Sequence, residues 1–234
     1  MPVPFPAPAR PAPSVVSPAP VIVHWAGEAL ELLPDRALWW PAQAVLFVAD
    51  VHLGKAATFR ALGQPVPAGT TAANLSRLDA LLAARPVRHL VVLGDLLHAA
   101  QAHNASLLAQ LAHWRTRHAD LAITLVRGNH DDRAGDPPAH LGIAVVGEPW
   151  LLGPFACCHE PQAHATHFVL AGHVHPACWL QGPGRDRLRL PCFTQQGRGA
   201  VLPAFGEFTG GWTVDAADGL ARYAVGGGGV WPLP

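Results

Sequence analysis

Leu93-Gly94-Asp95-Leu96-Leu97-His98 decides how this chain is read. The apolar run Leu90 to Leu93 stops abruptly at Gly94-Asp95, the pattern of a buried strand ended by a turn. A carboxylate at the tip of such a strand lies where open α/β sheets place their ligands. Working outward, the pattern recurs. Phe47-Val48-Ala49 runs into Asp50-Val51-His52, and Ile123 to Val126 runs into Arg127-Gly128-Asn129-His130-Asp131. Further on, Val169-Leu170-Ala171 runs into Gly172-His173-Val174-His175. Four strand ends carrying Asp, His, Asn and Gly read as one metal site.

The donors are oxygens and imidazole nitrogens without thiolates, which suits Mn, Fe or Zn better than Mg or Ca and disfavours a structural zinc module. In Asp50-x-His52 and His173-x-His175, residues two apart share a side of an extended chain, so both can enter one site. Asp95, on the central strand, can bridge two ions through its two oxygens. Two ions about 4 Å apart can hold a phosphate and activate a water. Each motif alone has an ordinary explanation as a turn or as surface histidines. Their order, each at a strand end, does not.

The 234 residues suffice for one domain with a sizeable core. No apolar run approaches the roughly 20 residues of a membrane span. Residues 1–20 are mostly Pro and Ala and lack the basic start and apolar core of a signal peptide, so a disordered arm is expected there. A single domain is expected over 21–225 and a flexible Gly-rich tail over 226–234. Cys157, Cys158, Cys178 and Cys192 show no disulfide framework, and a cytoplasmic protein with reduced thiols is expected. Sixteen Lys and Arg balance sixteen Asp and Glu, which argues against a broad basic face for duplex DNA but leaves room for a local phosphate site.

Strands are expected at 21–24, 44–49, 86–93 and 121–126, with a hairpin at 26–40 between the first two. Amphipathic helices are expected at 71–84, behind a Thr cap, and at 104–118. This alternation predicts βαβ units with right-handed crossovers. Residues 51–69 read as a long functional loop, too irregular for one helix. Past Asp136-Pro137-Pro138, short strands without helices predict a second, mostly antiparallel sheet, starting with Ile143 to Val146.

The motif series Asp50-x-His52, Gly94-Asp95-x-x-His98, Gly128-Asn129-His130-Asp131, His159 and Gly172-His173-x-His175 resembles the calcineurin-like binuclear metallophosphoesterases. The resemblance covers roughly Val21 to Tyr223 and implies a four-layer α/β/β/α sandwich of two mixed sheets with outer helices. Ala49 through Arg60, Pro65 through Thr71, Leu190 to Phe193 and Leu202 through Gly211 further resemble a bacterial branch, the ligase-associated DNA-damage-response endonucleases.

By that resemblance, Asp50, His52 and His175 bind one metal, Asn129, His159 and His173 the other, and Asp95 bridges. The ions are expected to be Mn2+, with Fe or Zn possible. His130 is expected to donate a proton to the leaving oxygen, and Asp131 to fix its ring and raise its pKa. His98 is a candidate contact to the scissile phosphate, and Lys55 and Arg60 are candidates for flanking phosphates. The implied function is a metal-dependent phosphodiesterase, an endonuclease on single-stranded DNA. A metal-bridging hydroxide would attack in line. The implied setting is repair, associated with a DNA ligase, a helicase and an exonuclease, with no membrane partner. The alternative on the same fold is a small-molecule phosphatase or nucleotide phosphodiesterase.

Overall fold

The computed structural model describes residues 20–61, 63, 69–99, 104–182, 184, 186–207 and 209–234. The expected disordered arm at 1–20 thus lies, but for Pro20, outside the described residues, as do Pro65 to Ala68 and Phe208 of the branch-like motifs.

Two mixed sheets form the body. The first has seven strands in sequential order: β1 (Val21–Trp25), β2 (Glu28–Leu33), β3 (Ala37–Trp40), β4 (Val45–Ala49), β5 (His89–Leu93), β6 (Ala122–Val126) and β7 (Ile143–Val146). The first four run antiparallel and β4 to β7 run parallel. Helices α1 (Lys55–Ala61) and α2 (Thr70–Ala84) follow β4, α3 (Ala105–Arg117) follows β5, and α4 (Asn129–Ala134) follows β6. Parallel strands laid down in sequence by right-handed crossovers put their helices on one face. Leu75, Leu78 and Leu81 of α2 and Leu107, Leu111 and Trp114 of α3 accordingly pack with Leu46, Val48, Leu90 and Val92.

The opposite face of β4 and β5 is left for the second sheet. There Phe47, Ala49, Val91 and Leu93 meet Phe155, Cys157, Leu170 and Phe193. Aromatic contacts fill this layer, with Trp40 edge-on to Phe155 at 5.0 Å and Trp25 stacked on Phe168 at 5.5 Å. The second sheet holds β8 (Trp150–Leu152), β9 (Phe155–Cys157), β10 (Phe168–Ala171), β11 (Pro176–Gln181), β12 (Arg187–Gln196), β13 (Gly199–Val201), β14 (Trp212–Thr213), β15 (Leu220–Gly226) and β16 (Gly229–Leu233).

Several expectations are corrected. Strand β7 completes the first sheet rather than starting the second, because Ile123 to Val126 pair in parallel with Ile143 to Val146. The second sheet is mixed and mostly antiparallel, as expected, with β10 running parallel to both β9 and β13. Two mixed sheets with few helices are the expected metallophosphoesterase-like architecture; among the described residues the α-helices all precede Gly135 and pack on the first sheet. The loop 51–69 contains α1, which starts directly after Gly54 at φ 85°. Helix α2 is capped by Gly69 at φ 88°, without a side-chain bond from a Thr. The expected flexible tail at 226–234 is strand β16, paired with β15 from Arg222 opposite Leu233 to Gly226 opposite Gly229, with Val230 buried in the layer between the sheets.

Truncation after Gly226 should therefore lower stability by about 2 kcal/mol or more, from the lost burial of Val230 and the lost ladder. Urea denaturation checks this. An unchanged midpoint would mean that the tail contributes nothing.

Candidate metal centre

Strands β4, β5 and β6 are parallel and end side by side, so Asp50, Asp95 and Asn129 leave the sheet at one edge. Strand β10 brings Gly172-His173 to the same edge from the second sheet, and His159 follows Cys158 beside it. Backbone bonds sew these loops together. Asp50 N donates to Gly94 O at 3.2 Å, His52 N to Asp95 O at 2.8 Å and Gly172 N to His159 O at 3.0 Å. His173 N donates to Asp50 Oδ2 at 2.9 Å.

Of the eight described non-glycine residues with positive φ, five belong to this edge: Asp50 (53°), His52 (49°), Asp95 (54°), His173 (67°) and His175 (50°). Each such conformation costs about 1 kcal/mol or more. The surrounding fold holds this strain in one place, as is common at functional sites.

The side chains converge on two nodes. In the first, His175 Nε2 lies 3.3 Å from Asp50 Oδ1 and 3.3 Å from His52 Nε2, which is 3.8 Å from Asp95 Oδ2. In the second, His159 Nε2 lies 2.9 Å from Asn129 Oδ1, 2.9 Å from His173 Nδ1 and 3.5 Å from Asp95 Oδ1. The two oxygens of Asp95 thus face one node each.

Proton positions decide what these short distances mean. His175 Nδ1–H donates to Gly210 O at 3.1 Å, and His159 Nδ1–H to Leu93 O at 3.3 Å. In its uncharged form each ring then points a lone pair on Nε2 at another acceptor: Asp50 Oδ1 in one case, Asn129 Oδ1 in the other. Acceptors this close with no proton between them repel unless a cation sits among them. Asp50, Asp95 and His159 are almost fully buried, as is His52. Burial pushes the Asp95 carboxyl up and, with the nearby Lys55 and His175, drives His52 far below its ordinary pKa, leaving the neutral imidazole that ligates metals. The donor set fits two divalent cations.

Two glycines make the closeness possible. A Cβ on Gly94 (φ 77°) would stand 2.0 Å from His159 Nδ1, and one on Gly172 would stand 2.7 Å from Asp50 Oδ2.

The expected acid, His130, lies at the rim. Its backbone N–H donates to Asp95 Oδ1 at 2.9 Å, and its Nδ1–H to the His98 carbonyl at 2.8 Å. Its Nε2 therefore faces the centre, 4.0 Å from Asp95 Oδ2. Here the role expected for Asp131 is corrected. Asp131 is fully buried, and its carboxylate accepts from Leu97 N at 3.1 Å and Gly128 N at 3.0 Å. It staples the Gly94–His98 loop to the start of α4, and the His98 carbonyl orients His130 instead. Burial raises Asp131 to about 6, against the pull of those two N–H groups.

The His98 ring stacks on His130 at 4.9 Å, and burial, Lys55 and His130 hold its pKa down to about 4. The nitrogens of His52, His98 and His130 also lie within 4.8 Å of one another, a third group at the same centre. The Lys55 ammonium feels both Asp50 and Asp95. Arg60 lies apart, at a small cavity between the starts of α2 and α3. His164 and His167 pair with each other away from the nodes, their rings 5.0 Å apart.

Three supporting residues escaped the sequence reading. Asn74 Nδ2 donates to Val51 O at 3.1 Å, holding the loop between Asp50 and His52. Its signal was a polar residue on the apolar stripe of α2, four positions before Leu78. Arg77 donates to Phe205 O and pairs with Glu207 at 2.7 Å, and Phe205 and Gly206 in turn bond the carbonyls of Ala49 and Asp50. Glu148 accepts from the backbone N–H of His159 at 2.5 Å. Nothing local in the sequence marked Arg77 or Glu148.

Residues 44–156 match the model of the calcineurin-like phosphoesterases. The nuclease MPE of Pseudomonas putida is 51% identical, with a TM-score of 0.82 over 92% of this chain and 100% of that one. The chain belongs to the calcineurin-like phosphoesterase family. Yfce, a phosphoesterase from E. coli, is 17% identical over 78% of this chain and 88% of its own, with a TM-score of 0.38. Comparison with the curated proteins gives no match. As a member of this family, the protein is a metal-dependent phosphoesterase, and its clustered donors are the family's kind of centre. No described helix is long and apolar enough to cross a membrane.

Gly94→Ala should abolish most metal binding, whereas Gly27→Ala, at the same kind of φ (83°) but with open space around its Cβ, should cost only about 1 kcal/mol. Metal content by elemental analysis and thermal denaturation separate the two. Equal metal content in both variants would refute the close packing of His159 on Gly94.

Proposed function

We propose that this protein is a manganese-dependent endonuclease that cleaves single-stranded DNA, acting in the cytoplasm in repair beside a DNA ligase, a helicase and an exonuclease. The observation that carries the reading is the pair of nodes bridged by Asp95 with His130 set beside them, in a chain 51% identical to a nuclease along nearly its whole length. The repair setting rests on the branch-like stretches Asp50 to Arg60 and Leu202 to Gly211. The thiolate-free donor set suits manganese. Four cysteines that are all free and buried suit a reducing compartment.

Asp50, His52 and His175 would hold one cation, Asn129, His159 and His173 the other, with Asp95 shared. Bound there, the cations would neutralise phosphate charge and make water a better nucleophile. The chain does the rest. His130 gives its proton at Nε2, because Nδ1–H is already committed to the His98 carbonyl. A proton on both nitrogens makes the ring cationic, the form that can protonate a leaving alkoxide. Lys55 and the neutral His98 present donors to the non-bridging phosphate oxygens. Arg60, being remote from the nodes, reaches only a flanking phosphate.

The deciding experiment incubates the purified protein with circular single-stranded DNA and with bis-p-nitrophenyl phosphate, each with manganese, with zinc and with chelator. Manganese-dependent conversion of circles to linear strands and fragments is expected. Hydrolysis of the small diester but never of DNA would favour the small-molecule phosphodiesterase.

His130→Ala should keep both metals and lose about 10²- to 10⁴-fold in phosphodiester cleavage. Near-normal turnover would refute the acid role.

Asp131→Ala should act through stability instead. It strands the N–H groups of Leu97 and Gly128 in the interior, at about 2–4 kcal/mol together. A denaturation midpoint equal to that of the parent would mean the staple is dispensable.

A further inference from the structure

The chain has no net charge, so a long polyanion needs a local reason to settle at the metal centre. One lies next to His175. A cavity of about 150 Å3 is lined by His175, Arg36, Arg189, Glu207 and Gly211. Its one carboxylate, Glu207, is engaged by Arg77 at 2.7 Å and Arg36 at 3.8 Å. Arg189 reaches the cavity by donating to Gly211 O, while the adjoining Gly210 O accepts from His175.

From that cavity the β11–β12 ribbon runs outward. Trp179 lies directly opposite Arg189 in the antiparallel register, so the two share a face. Arg187, two residues before Arg189, lies on that face as well, its guanidinium 4.7 Å from the Trp179 ring centre. Trp179 is 40% exposed, and Arg187 and Arg189 are exposed. An indole capped by a guanidinium is a flat, cationic, sequence-indifferent platform. That chemistry recognises an unpaired nucleobase and its neighbouring phosphates, and a duplex, whose bases are already stacked, cannot use it.

We propose that this face of the β11–β12 ribbon is the track for an unpaired nucleic-acid strand leading to or from the metal centre. A base stacks at Trp179, and successive phosphates pair with Arg187 and Arg189. The assignment rests on the nuclease reading above and adds to it where the strand lies and why it must be single. Trp212 is more exposed still, at 71%, but it pairs with Pro176 and so faces the other side of the ribbon. It is a matched control.

The test uses the manganese-loaded full chain and steady-state cleavage of a labelled oligothymidylate, with bis-p-nitrophenyl phosphate as the small substrate. Trp179→Ala should raise KM for the oligonucleotide about tenfold, since each stacked base contributes a factor of this order. Turnover of the small diester should stay within about twofold of the parent. Trp179→Phe should recover most of the loss, and Trp212→Ala should show none. The Arg187→Ala/Arg189→Ala double variant should lower the slope of log KM against log salt by about one, as expected for one or two lost phosphate contacts on a single strand. If the parent cuts DNA and these variants match it, the track is overturned and the nuclease reading stands. An equal fall on both substrates also overturns the track. If the parent hydrolyses only the small diester, the nuclease reading fails and the track fails with it.

Discussion

Two buried carboxylates and a set of imidazole nitrogens are packed tightly against one another. That electrostatic constraint underlies the rest of the structure. Asp50 Oδ1 and His175 Nε2 stand 3.3 Å apart, and Asn129 Oδ1 and His159 Nε2 stand 2.9 Å apart. In water such an arrangement would relax by rotating side chains apart. Here it cannot, because each ring is held from behind: His175 by the Gly210 carbonyl, His159 by the Leu93 carbonyl. The preorganised repulsion becomes affinity for cations, which are the one species that satisfies all the lone pairs together.

The architecture is what keeps these groups in place. A sequential parallel run from β4 to β7 stacks its helices on one face and frees the other for the second sheet. The site then forms where strand ends of both sheets meet. The left-handed backbone at five of its residues is strain that short loops could not hold alone. It is held by bonds from three directions: the neighbouring strand end at Gly94 and Asp95, the α2 side chains of Asn74 and Arg77, and the strap through Phe205 and Gly206. Asp131 belongs to this scaffolding and not to the reacting groups, since its oxygens are both turned to backbone N–H groups.

A centre of this kind activates water toward phosphorus without choosing among phosphoesters, so substrate choice belongs to the rim. On this chain the rim is lopsided. Lys55, His98 and His130 crowd one side, and Arg36 and Arg189 the side that opens on the β11–β12 ribbon. Cationic side chains thus stand on both sides of the centre in a chain of zero net charge.

The chemistry was legible because it is written in short words at strand ends. Asp-x-His, Gly-Asp, Gly-Asn-His-Asp and Gly-His-x-His each follow an apolar run, and a run ending in a polar residue carries its own position. The first sheet was legible for the same reason, since its strands alternate with amphipathic helices. The second sheet was less so. Strand β11 has only the short run Ala177 to Leu180 directly behind a proline, and β16 hides in a Gly-rich tail; both are strands by virtue of their partners. The partner of Asp131 could not be read either: adjacency to His130 suggested a bond that the turn of α4 directs elsewhere, to Leu97, 34 residues away in sequence. The sequence by itself determined the ligand types, their order and the parallel half of the first sheet, which depend on local pattern. Only the tertiary structure decided that β7 completes the first sheet, that His98 and not Asp131 orients His130, and that Trp179, Arg187 and Arg189 share a face beside His175, because these depend on register between segments distant along the chain.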